Sequence, residues 1–158
     1  MDPKHAFVKS VQLWREREVL RPVVPVSLAG PELETAPRVG LVDTGGQNAL
    51  AAWWLAELAG IDLSRSTDTA LIGIGGQTSE VNFAEVELRL YAPDAGDEFV
   101  SWRCDVGFVP DWQAPFALVL GQVGFLDQFT VTFHRGAATM AIEEWDAFDS
   151  RFGTAGLL

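Results

Sequence analysis

The hydrophobic residues of this chain fall into short runs separated by glycine- and proline-rich turns. Apolar or alternating runs of this length, bounded by turn residues, are typical of β-strands. They occur at "VLRPVVPVSL" (19–28), "VGLV" (39–42), "FVSWRCDVGFV" (99–109), "APFALVLG" (114–121), "FTVTFHR" (129–135) and "TMAIEEW" (139–145). Pro22 and Pro25 in the first run predict an edge strand, because proline cannot donate to a sheet ladder.

A longer stretch, "DTALIGIGGQTSEVNFAEVELRLY" (68–91), contains two extended runs on either side of a glycine cluster. This pattern predicts a hairpin with a mobile tip. Polar and apolar residues alternate along its second arm, and the apolar face changes near Ala84. We therefore expect the outer part of the hairpin and its base to bury opposite faces.

One segment has a helical pattern. "QNALAAWWLAELAG" (47–60) is rich in alanine and leucine, with Asn48 as the predicted N-cap and Gly60 at the end. Trp53 and Trp54 fall within this helix, where we expect them to pack in the core or at an interface. Residues 4–20 suit either a helix or a strand and are treated as part of an arm outside the main domain.

Length and composition favour one domain. The chain has 158 residues, enough for a single core, and 48% of them are hydrophobic. We predict an N-terminal arm (1–18), a domain (19–146) and a C-terminal tail (147–158). The start lacks the apolar centre of a signal peptide, which predicts a cytoplasmic protein or a soluble piece of a larger one. The only cysteine, Cys104, rules out an internal disulfide and is predicted to fill apolar space.

The net charge of −11 argues against binding to nucleic acid or to anionic membranes. Two histidines, His5 and His134, are too few and too far apart in sequence to suggest a metal site. The acidic run "IEEWDAFD" is predicted to be a solvated face, since its spacing matches no metal site. A serine nucleophile would lack a base beside its turn.

Asp43 is the first candidate for chemistry. It follows the apolar run "VGLV" and is followed at once by Thr44 and Gly45. An unpaired buried carboxylate is costly, so its position calls for an explanation. Taken alone, Asp-Thr-Gly is also explained by an aspartate that caps the following helix or forms an Asx turn.

Two more features lie downstream. The hairpin tip "LIGIGGQTSEV" leads into a strand, whereas a phosphate-binding glycine loop leads into a helix, so a nucleotide site is not indicated. A glycine-tipped hairpin suits a hinged cover over a groove. Further on, "FALVLGQVGFLDQF" has an apolar strand, then Gly121 and a short stretch with helical character.

In order and spacing, "LVDTGG", "LIGIGGQ" and "LVLGQVGFLDQFTVTF" resemble the motifs of the retropepsin-like aspartic proteases over roughly residues 19 to 142. The resemblance implies a mainly β fold: a closed barrel with short helices, active as a two-fold homodimer. It implies an aspartic endopeptidase acting on polypeptides, without a cofactor or metal. Asp43 of each subunit would supply one of two carboxylates that share a proton and activate a water.

The resemblance also assigns roles around this aspartate. Thr44 and Gly45 form the active-site turn, and in this family the threonine locks with its mate across the dimer interface. The residues expected to contact substrate lie in this turn and in the hairpin tip: Gly46, Gln47, Gly73, Ile74, Gly75 and Gly76. The residues expected to support the site are Gly121 and Gln122.

The chain departs from the family at three of these positions. Gly46 replaces the usual alanine or serine, and Gln47 and Gln122 replace an acid–arginine pair of the retroviral members. Two glutamines can bond each other as neutral amides. These changes leave open an alternative with the same fold, a dimeric peptide-binding or scaffolding module without useful turnover. A separate alternative is a mainly β domain whose aspartate only caps a helix, which predicts a monomer.

Overall fold

The computed structural model describes residues 4–6, 8–12, 17–66, 68–74, 76–92 and 97–152, with side chains described from residue 19 to residue 149. The described residues form twelve strands and two α-helices. The strands are β1 (Lys4–Ala6), β2 (Val8–Gln12), β3 (Arg17–Arg21), β4 (Val23–Ala29), β5 (Arg38–Val42), β6 (Leu50–Ala52), β7 (Thr69–Ile74), β8 (Gln77–Tyr91), β9 (Phe99–Val109), β10 (Leu118–Leu120), β11 (Phe129–His134) and β12 (Thr139–Glu144). The helices are α1 (Trp53–Ala59) and α2 (Trp145–Phe152).

The main sheet has the strand order β4-β5-β10-β6-β9-β8-β7, and β4 also pairs with β8. This last pairing closes six strands into a barrel, leaving β7 outside the closure as the partner of β8. The predicted mainly β fold, a closed barrel with short helices, is thus confirmed. A second sheet has the order β1-β12-β11, and β2 and β3 form a separate antiparallel pair. The predicted domain boundaries stay predictions.

β4 differs from the edge strand that its prolines predict. Its first half pairs with β5, from Val23 to Val26, and its second half pairs with β8, from Val26 to Ala29. Pro25 lies in the half that pairs only with β5, opposite Val39, and the pairing with β8 begins one residue later, at Val26. Strand β4 therefore places its proline where only one neighbouring strand pairs with it. The prediction of an edge strand is therefore wrong for β4 as a whole.

The core fills the barrel and the space beneath the second sheet. In β8 the buried residues change from odd to even positions between Val81 and Val86, as the alternation predicted. Burying such side chains contributes about 1.5–3 kcal/mol each. The largest fully buried side chains come from β4, α1, β8, β9, β10, β12 and the turn after β10: Phe108, Phe125, Leu28, Leu55, Leu88, Leu90, Leu118, Leu120, Met140 and Ile142.

The helix α1 begins later than its sequence predicts. The residue before it is Ala52, whose side chain makes no cap, and residues 50–52 form the strand β6. Asn48 is therefore not the N-cap; it makes a parallel bridge to Val123. Because β10 and β9 offer hydrogen-bond partners to β6 on either side, sheet pairing overrides the helical preference of alanine and leucine. The predicted end is confirmed, with Gly60 in the left-handed conformation at φ 71°.

Two smaller expectations are also corrected. Residues 122–128, predicted to have helical character, form turns. The acidic run "IEEWDAFD" is not wholly solvated, because the Glu143 side chain is buried in β12 while Glu144 and Asp146 are exposed. None of the helices in the described part of the chain is long and apolar enough to cross a membrane.

Candidate functional site

The turn that follows β5 holds Asp43 in a defined orientation. The backbone N–H of Asp43 donates to the carbonyl oxygen of Leu120 at 3.0 Å, and the N–H of Gly45 donates to Asp43 Oδ1 at 3.0 Å. Asp43 is half-buried, with Thr44 and Gly45 exposed beside it. The carboxylate thus sits at the surface with one oxygen bonded and its position set by the chain beneath it.

This geometry decides between the local explanations of Asp43. The bond from Gly45 N–H to Asp43 Oδ1 forms an Asx turn, which is one of the two local explanations, and it lies within the turn that the resemblance assigns to the active site. The helix-capping alternative is wrong, because α1 begins only at Trp53, after the intervening strand β6. The Asx turn uses only Oδ1 of Asp43, so the second carboxylate oxygen, Oδ2, takes no part in this bond.

A second turn supports the first. The N–H of Gln122 donates to the carbonyl oxygen of Gly46 at 2.8 Å, and the N–H of Val123 donates to that of Gln47 at 2.9 Å. The side-chain amide of Gln122 donates to the carbonyl oxygen of Thr44 at 3.0 Å. The two turns are therefore one hydrogen-bonded unit.

The two turns fit together because Gly121 has no side chain. A Cβ at this position would lie 2.4 Å from the carbonyl oxygen of Asn48 and 2.7 Å from that of Gly46. Both are backbone atoms, which cannot swing away as the end of a side chain can. Glycine is required here by close backbone approach, which explains the second glycine of the sequence pattern.

Strand order brings the turns together. β10 pairs in parallel with β5 and antiparallel with β6, so it lies between the two strands that the Asp43 turn connects. Leu120 is opposite Val42, so β5 and β10 end at the same level and continue into adjacent turns. Residues far apart in sequence thereby meet at one end of the barrel.

An aromatic cluster anchors the second turn from below. The indole N–H of Trp102 donates to the carbonyl oxygen of Gly124 at 2.7 Å. The Trp102 ring contacts the Phe129 ring edge-on, with centroids 4.9 Å apart, and Phe125 completes the cluster. Such contacts stabilise by about 0.5–1.5 kcal/mol per pair. They stabilise the turn after β10, which is hydrogen-bonded to the Asp43 turn.

The glycine-rich hairpin projects from the barrel. Gly73 lies opposite Thr78 and Ile74 opposite Gln77, at the tip of β7 and β8. A Cβ at Gly73 or at Gly76 would meet no atom within 4 Å, and Gly76 has the left-handed φ of 82° that favours glycine. Gly75 lies outside the described residues. Gly73 and Gly76 are exposed, and Gly76 has a backbone conformation that residues other than glycine rarely adopt.

Two contacts of the site are not those that the sequence predicts. Gln122 uses its side-chain amide on the Thr44 carbonyl, so the expected amide pair with Gln47 is not its arrangement here. The bridge between Asn48 and Val123 was not predicted. Nothing local in the sequence signals a parallel bridge between residues so far apart.

Comparison with known proteins adds to this geometry. No family model matches the chain, and no curated protein matches it in sequence. Among solved structures, it is similar to a retropepsin-like aspartic protease from Rickettsia conorii, with a TM-score of 0.55 and 14% identity over 91% of this chain and 92% of that one.

Two further structures match less completely. The retroviral protease-like domain of Ddi1 from Leishmania major has a TM-score of 0.45 and 15% identity over 71% of this chain and 81% of that one. The EIAV protease in complex with the inhibitor HBY-793 has a TM-score of 0.35 and 18% identity over 71% and 88%. Taken with the closed barrel and the joined turns, the first match shows that the chain has the retropepsin-like fold.

Proposed function

We propose that this protein is an aspartic endopeptidase that is active as a two-fold homodimer. The observation that carries the proposal is the Asp43 carboxylate, held by Gly45 N–H on a turn that Gly121 and Gln122 support, within a retropepsin-like barrel. One chain supplies one such aspartate, and acid proteolysis needs two carboxylates. A two-fold axis beside the Asp43 turn would supply the second.

The reaction would proceed without a covalent enzyme intermediate. The two Asp43 carboxyl groups share one proton, because two like charges at short distance cannot both ionise easily. The ionised group takes a proton from a water, whose oxygen attacks the scissile carbonyl carbon. The protonated group gives its proton to the carbonyl oxygen, forming a tetrahedral diol. The carboxyl group that took the proton from water then gives it to the amide nitrogen, and the other carboxylate takes a proton from one diol hydroxyl. The C–N bond breaks, which releases the amine and the carboxylic acid and leaves the pair of carboxyl groups with one shared proton again.

The substrate would be an extended polypeptide segment. An extended segment can pair as an added strand, with alternate side chains directed into pockets. Gly46 and Gln47 lie in the turn beside Asp43, and the tip residues Gly73, Ile74 and Gly76 are on the projecting hairpin. We infer that this hairpin closes over the bound segment as a flap, limiting water access and supplying backbone hydrogen bonds.

One observation supports an alternative, a dimeric peptide-binding module without useful turnover. The Gln122 side chain is engaged with the Thr44 carbonyl, and no charged pair lies between positions 47 and 122. The groove thus lacks a contact that retroviral members have. Against this alternative, a binding module needs no carboxylate held in this orientation.

The test is cleavage of a mixed, unstructured peptide pool between about pH 4 and 7, which brackets the ionisation of shared carboxyl groups. Native protein is compared with Asp43→Asn and with Asp97→Asn, which removes the same charge from an exposed turn. We expect cleavage by the native protein and Asp97→Asn only, with specific activity that falls on dilution as dimers dissociate.

The other outcomes are equally informative. If Asp43→Asn cleaves as well as the native protein, the proposed chemistry is wrong. If none of the three proteins cleaves, sedimentation of the same samples decides what remains. A dimer would favour the binding module, and a monomer would contradict both proposals.

A further inference from the structure

A cavity of about 390 Å³ lies between helix α1 and the segment that follows β9. Three of the six tryptophans in the chain line it: Trp53, Trp54 and Trp112. Two acidic residues, Glu57 and Asp111, also line it, and its described lining includes no lysine, arginine or histidine. We call this the tryptophan cavity.

The tryptophan cavity is separate from the Asp43 turn. In β10, Leu120 is opposite Val42 and faces the Asp43 end, whereas Leu118 is opposite Ala51, just before α1. Trp53 therefore starts its helix at the opposite end of these strands from Asp43. Continuing these registers places Asp43 level with Gly121 and Trp53 level with Phe116, so the two residues are separated by about 16 Å along the strand direction, at a rise of about 3.3 Å per residue.

The wall on the β9 side is held in place. The indole N–H of Trp112 donates to the carbonyl oxygen of Phe116 at 2.7 Å, which fixes the ring within its own loop. Asp111 has a left-handed φ of 52°, which aspartate tolerates better than most residues. On the other side, Trp53 packs against the hydrophobic core. A site whose walls are already ordered loses less entropy when it binds a ligand.

The lining has the chemistry of a cation site. The face of an indole ring attracts cations more strongly than other aromatic rings, and carboxylates add ionic attraction. One guanidinium of the chain already makes such a contact, because the guanidinium carbon of Arg38 lies 5.6 Å from the centroid of the Trp54 ring. Arg38 is not itself a lining residue. The net charge of −11 adds a general attraction for basic partners.

Among biological cations, the guanidinium group fits this lining best. It is flat, so it can stack on indole faces, and its fork of N–H groups matches carboxylates in a way that a lysine ammonium does not. We propose that the tryptophan cavity binds an arginine side chain of a partner polypeptide, with its guanidinium against the indoles and paired with Glu57 and Asp111. This proposal does not depend on the proposed protease activity.

The indole N–H signals of the six tryptophans in an NMR spectrum of the full chain provide the readout. The probe is N-acetyl-arginine amide, and the matched control is N-acetyl-citrulline amide, which has nearly the same shape but no charge. We expect the arginine probe to shift the signals of Trp53, Trp54 and Trp112 in a saturable way, with a dissociation constant on the order of 1 mM. The citrulline control should shift them far less.

Variants test the carboxylates. Glu57→Gln with Asp111→Asn should weaken binding by at least about tenfold, since charge-assisted bonds are lost while the shape is kept. The matched control is Glu144→Gln with Asp146→Asn, which removes two charges that flank an exposed tryptophan, Trp145. It should leave binding unchanged. Wide dispersion of the amide proton signals in the NMR spectrum of each variant would show that the variant is folded.

Four results would overturn the proposal. The first is an equal response to citrulline, and the second is an equal shift of Trp145, which would show general attraction to an acidic protein. The third is binding seen only in Arg38→Gln, which would make Arg38 the cavity's own occupant. The fourth is a shift of the three signals on dilution without any probe, which would make a second copy of the chain the occupant.

Discussion

The side-chain amide of Gln122 donates to the carbonyl oxygen of Thr44 at 3.0 Å, across 78 positions of sequence. The bond joins the turn that carries Asp43 to the turn that follows β10. It is a contact between an uncharged side chain and the backbone.

The variant Gln122→Glu tests the bond at constant size. A carboxylate cannot donate to the Thr44 carbonyl, so the turn loses this support. We expect the free energy of unfolding to fall by about 1 kcal/mol or less, because the site is exposed. Peptide cleavage should fall by about threefold to tenfold through poorer placement of Asp43. Unchanged cleavage in Gln122→Glu, beside a loss in Asp43→Asn, would show that the bond does not position the turn.

Gly121→Ala should disrupt the contact between the two turns. Its new Cβ would lie 2.4 Å from the carbonyl oxygen of Asn48, a backbone atom that can move only with the chain. We expect a loss of about 2–4 kcal/mol in the free energy of unfolding, measured by urea denaturation. The matched control is Gly73→Ala, where a Cβ meets no atom within 4 Å. Equal stability of the two variants would contradict the close approach.

Glu34 should contribute stability that depends on acid pH. Its carboxylate accepts hydrogen bonds from Ser27 Oγ at 2.6 Å and Tyr91 Oη at 2.5 Å, and it pairs with Arg89. The Ser27 and Tyr91 bonds, in that order, lower the pKa of Glu34. A lowered pKa means that this stability is present above the unfolded pKa, near 4.3 by the usual value for glutamate, and is lost as pH falls through the folded value.

The measurement is urea denaturation of Glu34→Gln and the native protein from about pH 3 to 7. We expect a deficit of about 1 kcal/mol at pH 7 that shrinks as the pH falls. Glu32→Gln, on the same exposed loop, is the control and should show no such trend. A deficit that stays constant with pH would mean that the hydrogen bonds do not depend on ionisation of Glu34.

Cys104 should react slowly in the folded protein. Burial raises the pKa of its thiol to about 12, so the nucleophilic thiolate is scarce at pH 8. We expect alkylation by iodoacetamide to be at least about 100-fold slower in the native protein than in urea. It is the only cysteine, so the labelled fraction reports on this site alone. Similar rates in the two states would contradict the burial of the thiol.

The raised pKa of Cys104 also determines how this residue changes the stability of the protein as the pH changes. The contribution of Cys104 is present below the unfolded pKa of a cysteine and is lost as pH rises toward about 12. Tyr91 behaves in the same direction, because its hydrogen bond to Glu34 raises its pKa. The free energy of unfolding should therefore decrease as the pH rises through the alkaline range, which urea denaturation extended to alkaline pH would measure. A free energy of unfolding that stays constant there would contradict both raised pKa values.

Much of the fold was predictable because strand and turn signals are local. The apolar runs before Asp43 and Gly121 became β5 and β10, and the glycine cluster became the tip of the β7–β8 hairpin. The change of apolar face in β8 was visible in its alternation. In each case the pattern of side chains along a single segment determined whether it could pair and which face it would bury.

Other features were not predictable from one segment. Residues 50–52 look helical but form β6, because strands on both sides provide hydrogen-bond partners. β4 looks like an edge strand but closes the barrel, because its second half meets β8. Glu143 looks like part of a solvated run but is buried in β12. Each error has the same origin: a neighbour far away in sequence overrides the local preference.

The sequence by itself determined the chemistry that the chain offers, an Asp-Thr-Gly turn, a glycine-tipped hairpin and a second glycine turn, because these depend on residue types at short spacing. Only the tertiary structure decided how they meet. It placed β10 between β5 and β6, bonded Gln122 to Thr44, and gathered Trp53, Trp54 and Trp112 around one cavity. Such contacts come from barrel closure, in which the hydrogen-bonding and packing of distant segments select one arrangement among many that are locally possible.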